Sequence, residues 1–186
     1  TMSSVLATPE EQDRCRSELF SYFRELATER RRQPGDDVAS ILVSPNDNGE
    51  QLSAEELDAY FLLLVIAGNE TTRFLLAGGL EQLLLQPNAM QRLRKEPSLI
   101  PSAVEEMIRW VTPVIHMRRT VTEDTQAFGL DVAAGSKFVL YFSAANRDPQ
   151  VFEDPHSFRV DRTPNKHVGF GAGHHFCMGA YLARLE

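Results

Sequence analysis

From Ser53 to Leu85 the sequence carries a helical pattern that runs unbroken until Pro87. Few globular helices are that long. Its start is marked by Ser53-Ala-Glu-Glu56, in which the serine hydroxyl and the glutamate three residues on can each satisfy an orphan amide. Within it lies the most apolar run of the chain, Phe61–Gly68 (FLLLVIAG), which meets Asn69-Glu70 at once. A membrane span needs roughly 20 apolar residues. The run is shorter, so it predicts a buried helix of a soluble, cytoplasmic protein with no membrane anchor.

The flanking segments extend the helical reading. Leu19, Phe20, Phe23, Leu26 and Ala27 recur at the spacing of one helix face and predict a helix over Pro9–Arg32. Its basic end, Glu29–Arg32, suits the negative pole of the helix dipole. QPGDD (Gln33–Asp37) breaks it, and Asp36 or Asp37 is placed to cap a short helix in DVASILV. Further helices are predicted over about Asn88–Lys95 and Leu99–Trp110, with Pro101 tolerated in a first turn. After Pro113 the texture changes to short β-prone runs (HMRRTVTED, AFGLDVAAG, KFVLYF) separated by turn residues, which predicts a small sheet. Ala144–Asn165 is dense in Pro, Asp and Asn and reads as a long irregular segment, a kind of loop that usually has a task. A last helix is expected from Met178. The fold class is therefore mainly α with a small β region.

Composition excludes other classes. Apolar residues make up 42% of the chain, enough for a core. The net charge of −7 and the absence of a long basic run argue against nucleic acid as a partner. Two distant cysteines do not make a disulfide scaffold and suit a reducing compartment. The opening TMSSVLATPEEQ lacks the pattern of a signal peptide, and Thr1-Met2 is read as a foreign addition.

One cysteine asks for more. Cys177 sits in FGAGHHFCMGA, Phe170–Ala180, between glycines and the start of the expected helix. Gly171, Gly173 and Gly179 permit tight turns and close approach to a flat ligand. Amides and dipole at a helix start favour a thiolate, the form that binds soft metals. Duller readings compete: a lone cysteine is more often a small buried apolar residue. His174 and His175 with Cys177 suggest structural zinc, although a fourth ligand is missing. A Cys–His nucleophile pair is also conceivable.

The stretch FGAGHHFCMG resembles the haem-binding loop of the cytochrome P450 superfamily, F-x-x-G-x-x-x-C-x-G, with Phe170, Gly173, Cys177 and Gly179 in the fixed positions. Two further motifs follow the family order. AGNETT (Ala67–Thr72) resembles the oxygen-activation motif, with Ala67, Gly68, Glu70, Thr71 and Thr72 in place. EEMIRW (Glu105–Trp110) contains E-x-x-R as Glu106 and Arg109. The resemblance implies haem b ligated through Cys177, with Phe170 shielding the sulfur and Gly171, Gly173 and Gly179 among the residues that bind the cofactor. It implies propionate contacts from His175 and Arg119, and space above the haem at Ala67 and Gly68. Thr71 would bond dioxygen and Glu70 deliver protons, as catalytic residues. Glu106 and Arg109 would brace the cysteine loop, while Val114 and Ile115 would line the substrate pocket. The arginine with which relatives complete the brace is replaced here by Ser157; Arg159, Arg162 or His156 are candidates for its role.

The implied reaction inserts one atom of dioxygen into a C–H bond of a small lipophilic substrate, sterols among the possibilities. Electrons would come from a ferredoxin or similar partner and ultimately NAD(P)H. The family's domain is longer, so the resemblance makes residues 1–186 one part of a single haem-thiolate domain, truncated at both ends. Two alternatives stand beside monooxygenase activity: a haem-binding fragment without catalysis, and the zinc site at Cys177, His174 and His175.

Overall fold

The computed structural model describes residues 8–186; the reading of the first seven residues lies outside them. The chain divides into two compact units, the first ending at Ala67 and the second running from Gly68 to Glu186.

In the first unit, helix α1 spans Pro9–Arg32 and opens on a capping box between Thr8 and Glu11. Helix α2, Val38–Val43, is capped by Asp37, whose carboxylate accepts from the Ser40 amide at 2.7 Å. That bond, followed by the one from Arg30, holds the Asp37 carboxyl below the usual range. Helix α3, Ala54–Leu85, begins where the sequence places it: Ser53 N–H donates to Glu56 at 2.8 Å, and Glu56 N–H to the Ser53 hydroxyl at 3.2 Å. Phe23, Ala27, Val43, Leu57 and Phe61 form the core of this unit. Asp58 is buried and takes two bonds from Arg24, at 2.7 and 3.1 Å.

The second unit holds the rest of α3, helix α4 (Pro87–Lys95) and helix α5 (Ile100–Val111). Gly78 and Gly79 let α5 press against α3, because a Cβ at either position would lie 2.9 Å from Val111 or 2.8 Å from Met107. Leu83, Ala103, Phe158 and Val160 form its core, with Trp110 edge-on to Phe158 at 5.8 Å.

The small β region is two separate ribbons rather than one sheet. Strand β1 (His116–Thr120) pairs antiparallel with β4 (Lys137–Tyr141), Arg118 opposite Val139; β2 (Thr125–Ala127) pairs with β3 (Leu130–Val132). The sequence marks the strands but not their grouping, since pairing depends on side chains outside each run. Helix α6, Phe142–Ala145, is a single turn, and the chain from Asn146 to Asn165 is irregular as expected. The last helix, α7, covers Ala180–Leu185 and starts two residues later than predicted.

One expectation needs correction. It is the burial of the helix that fails: only 6% of the most apolar window of α3 is buried, and by length and composition alone, a test that core helices of soluble proteins also pass, α3 is long and apolar enough to cross a membrane.

Candidate functional site

The irregular segment proves to be a cage for charge. Glu106 and Arg109, three residues apart on α5, are both fully buried. Arg109 forks onto the carboxylate, Nε to Oε2 at 2.7 Å and Nη2 to Oε1 at 2.8 Å. The third partner is Arg162, whose Nε reaches Oε2 at 3.0 Å and Oε1 at 3.2 Å. Of the other candidates, Arg159 contributes only its backbone N–H, to Oε1 at 2.8 Å. Asn165 adds a bond to Oε2 at 3.1 Å.

One carboxylate thus faces two guanidiniums, and burial would make the surplus positive charge costly. Carbonyl oxygens disperse it. Arg109 donates to the carbonyls of Asn146, Pro155 and Ser157 at 2.8 to 3.1 Å. Arg162 donates to those of Glu153, Asp154 and Ser157 at 2.6 to 3.1 Å. Phe152, also buried, offers its ring to both guanidiniums, at 5.3 and 6.0 Å. Ser157 serves through its backbone oxygen, which is why a serine can stand there.

Asn146, which the sequence reading passed over, ties this cage to the cysteine loop. It is fully buried, donates to the Thr112 hydroxyl at 2.9 Å and accepts from the Val168 amide at 2.8 Å. Its own N–H closes α6 onto the Phe142 carbonyl at 2.8 Å. Arg147 is equally engaged: it donates to the Trp110 carbonyl at 2.7 Å and stacks on the Trp110 ring at 5.0 Å.

The loop itself turns on two left-handed glycines, Gly171 at φ +73° and Gly173 at φ +65°, where other residues would be strained. A Cβ on Gly171 would also lie 3.2 Å from the His175 carbonyl oxygen. Cys177 N–H donates to the Phe170 carbonyl at 2.9 Å, closing the loop at its two motif ends. Cys177 is an exposed free thiol. Helix α7 begins at Ala180, two residues past the expected Met178, and its first amide donates to the Cys177 carbonyl at 3.2 Å. Phe170 packs edge-on to Phe176 at 6.2 Å. His174 and His175 are exposed in a short 3-10 turn.

The zinc alternative falls here: among the described residues, no group of three or more His, Cys, Asp and Glu side chains is placed to hold a metal ion.

A second cluster braces the same loop. Arg184 of α7 pairs through Nε and Nη2 with both oxygens of Glu105, the Nη2 bond at 3.1 Å. His167 meets Glu105 Oε2 through Nε2 at 2.8 Å, while its Nδ1 accepts from the Gly169 amide at 3.2 Å. The Nδ1 bond requires a lone pair there and so assigns the proton to Nε2. Burial lowers the His167 pKa and Glu105 offsets only part of that, which agrees with the neutral ring. Burial pushes Glu105 up, but bonds from Arg184 and His167 outweigh it and hold the carboxyl below its ordinary range.

The remaining predicted residues lie elsewhere. Ala67 closes the first unit and Gly68 opens the second, both on α3. A Cβ on Gly68 would meet nothing within 4 Å. Glu70 pairs with Arg73 one turn along the helix, and Thr71 is half-buried beside it. Val114 is half-buried and Ile115 exposed, just before β1. Arg119 lies on β1, exposed, and donates to the Arg118 carbonyl at 3.0 Å.

Comparison with known proteins agrees with this picture. The steroid C26-monooxygenase of Mycolicibacterium smegmatis is 47% identical over 165 residues, covering 89% of this chain and 41% of that protein. The methyl-branched lipid omega-hydroxylase of Mycobacterium tuberculosis is 45% identical over 172 residues, 91% of this chain and 40% of that one. The crystal structure of CYP109E1 from Bacillus megaterium with corticosterone superposes with a TM-score of 0.90 at 40% identity, covering 98% of this chain and 50% of that chain. The chain therefore spans about half or less of the length of these relatives. The family model described as Cytochrome P450 matches residues 7–186. On that match, and on a loop built as its motif requires, the chain belongs to the cytochrome P450 family.

Proposed function

We propose that this chain is part of a single haem-thiolate domain, cytoplasmic, that inserts one oxygen atom of dioxygen into a C–H bond of a small lipophilic substrate. The observation that carries the reading is Cys177, an exposed thiol held by a backbone bond to Phe170 across a loop that needs its glycines. The surroundings suit a flat apolar group. A Cβ on Gly173 or Gly179 would meet nothing within 4 Å, and Phe176, Met178 and Leu182 leave more than half of their surface exposed. A porphyrin brings four nitrogen donors, so a single thiolate completes the protein's share of the ligands.

Cys177 would hold the iron, with Phe170 and Gly171 beside the sulfur and Arg119 and His175 offering cations or donors to the propionates. A thiolate-ligated haem supplies the activation of dioxygen. Thr71 holds a proton at Oγ1, and Glu70 is the acid that replenishes it. Because Glu70 is paired with Arg73, delivery requires that carboxylate to leave the guanidinium. Ala67 and Gly68 keep side-chain bulk off the same stretch of α3, and Val114 and Ile115 present apolar surface to the substrate. Electrons would reach the site from a ferredoxin or similar protein, drawn ultimately from NAD(P)H. The names of the steroid- and lipid-oxidising relatives support a lipophilic substrate.

The reduced, carbon-monoxide-treated spectrum tests the reading. The strongly red-shifted Soret band of thiolate ligation is expected, and Cys177→Ser should abolish it; its survival in that variant would remove the assignment. Thr71→Ala should leave the band in place while product formation drops roughly 10²-fold or more.

A further inference from the structure

Phe170 is held on several sides. The Arg184 guanidinium lies over its ring at 4.6 Å, the His167 ring stands 6.0 Å away and tilted, and Phe176 packs edge-on. Arg184 and His167 do not touch each other through hydrogen bonds; both are anchored on one carboxylate, Glu105, on α5. The carbonyl of Phe170 is what receives the Cys177 amide. The approach is close on the loop side too: a Cβ on Gly169 would lie 2.6 Å from Ile108 Cγ2 and 3.4 Å from His167 Nδ1.

We propose that Glu105, His167 and Arg184 form a clamp on Phe170 that fixes the backbone bond holding Cys177, with Arg184 as its positioning residue. The two-pronged pairing with Glu105 fixes the plane of the always-charged Arg184 guanidinium, which lies over the Phe170 ring. The clamp is separate from the Glu106 cage next to it. Successive residues of α5 thus serve two structures, Glu106 the meander and Glu105 the loop. The proposal rests on Cys177 as the haem ligand, but its geometry belongs to the polypeptide and is measurable without haem.

Amide hydrogen exchange on the full chain tests it. Arg184→Ala should speed exchange at the Cys177 amide by about tenfold, the scale of a lost cation–π contact. Exchange at the Arg159 amide, bonded to Glu106, should not change, which separates a local role from general destabilisation. Arg184→Lys keeps the charge and is the safer variant for folding. It lacks the planar fork, so it should speed Cys177 exchange as well. In the haem-loaded protein both variants should shift intensity from the thiolate-type Soret band toward that of a lost thiolate. Unchanged exchange at Cys177 in Arg184→Lys, or equal acceleration at Arg159, overturns the clamp. If that happens while Cys177→Ser still abolishes the thiolate band, the haem assignment stands and only the clamp fails.

Discussion

Glu106 accepts from two arginines, a backbone amide and an asparagine while wholly buried. Removing a partner from such a group strands the others in a low-dielectric interior. Glu106→Ala and Arg162→Ala are each expected to lose about 3–5 kcal/mol of stability, read from urea unfolding. The double variant should lose far less than their sum, because each single change already disables the same network. Gly169→Ala makes a different prediction at the same scale. The added methyl meets Ile108 Cγ2 at 2.6 Å, and a branched, fully buried side chain has nowhere to withdraw. A loss of about 1–3 kcal/mol is expected, seen as a lower urea midpoint at unchanged slope.

Among the elements, α5, α7 and the start of the cysteine loop are linked through a group whose charge matters. His167 is bonded to Glu105 and feels the charges of Arg184 and Arg109. Its pKa in the folded chain lies below the ordinary 6.5. A depressed value means that the unfolded chain binds the proton more readily. The stability it contributes is therefore complete above about pH 6.5 and is lost as pH falls through the lower folded value. Glu105, also depressed from its ordinary 4.5, acts in the same direction further down. Thermal unfolding between pH 7 and pH 5 should show a falling midpoint. His167→Gln, which can donate to Glu105 and has no proton to gain, should flatten the upper part of that fall.

For the whole chain, the notable quantity is exposed hydrocarbon. Leu63, Phe74, Leu84 and Leu85 on α3 and Tyr181, Leu182 and Leu185 at the end of the chain are all more than half exposed. Exposed apolar side chains in such number favour association. Purified as these 186 residues, the chain is expected to elute in size exclusion at a concentration-dependent apparent mass and to bind a hydrophobic dye. Elution as a monomer at every concentration, without dye binding, would contradict this.

The helices, their caps and the loop motif were legible in the sequence because each is set within three or four residues. Ser53 with Glu56 and Asp37 with Ser40 meet their partners inside one turn. The glycine positions of Phe170–Gly179 depend only on local backbone angles. The identity of the third brace was not legible. Arg159, Arg162 and His156 were equal candidates by position, and the chain's path around Phe152 brings Arg162, 56 residues from Glu106, to the carboxylate. Asn146 and the clamp on Phe170 were missed for the same reason, since Arg184 and Glu105 lie 79 residues apart. Sequence determined which segments form helices and turns and which residues match the family's motifs. Tertiary structure alone decided which charges are buried together, because burial and pairing are properties of the space between segments.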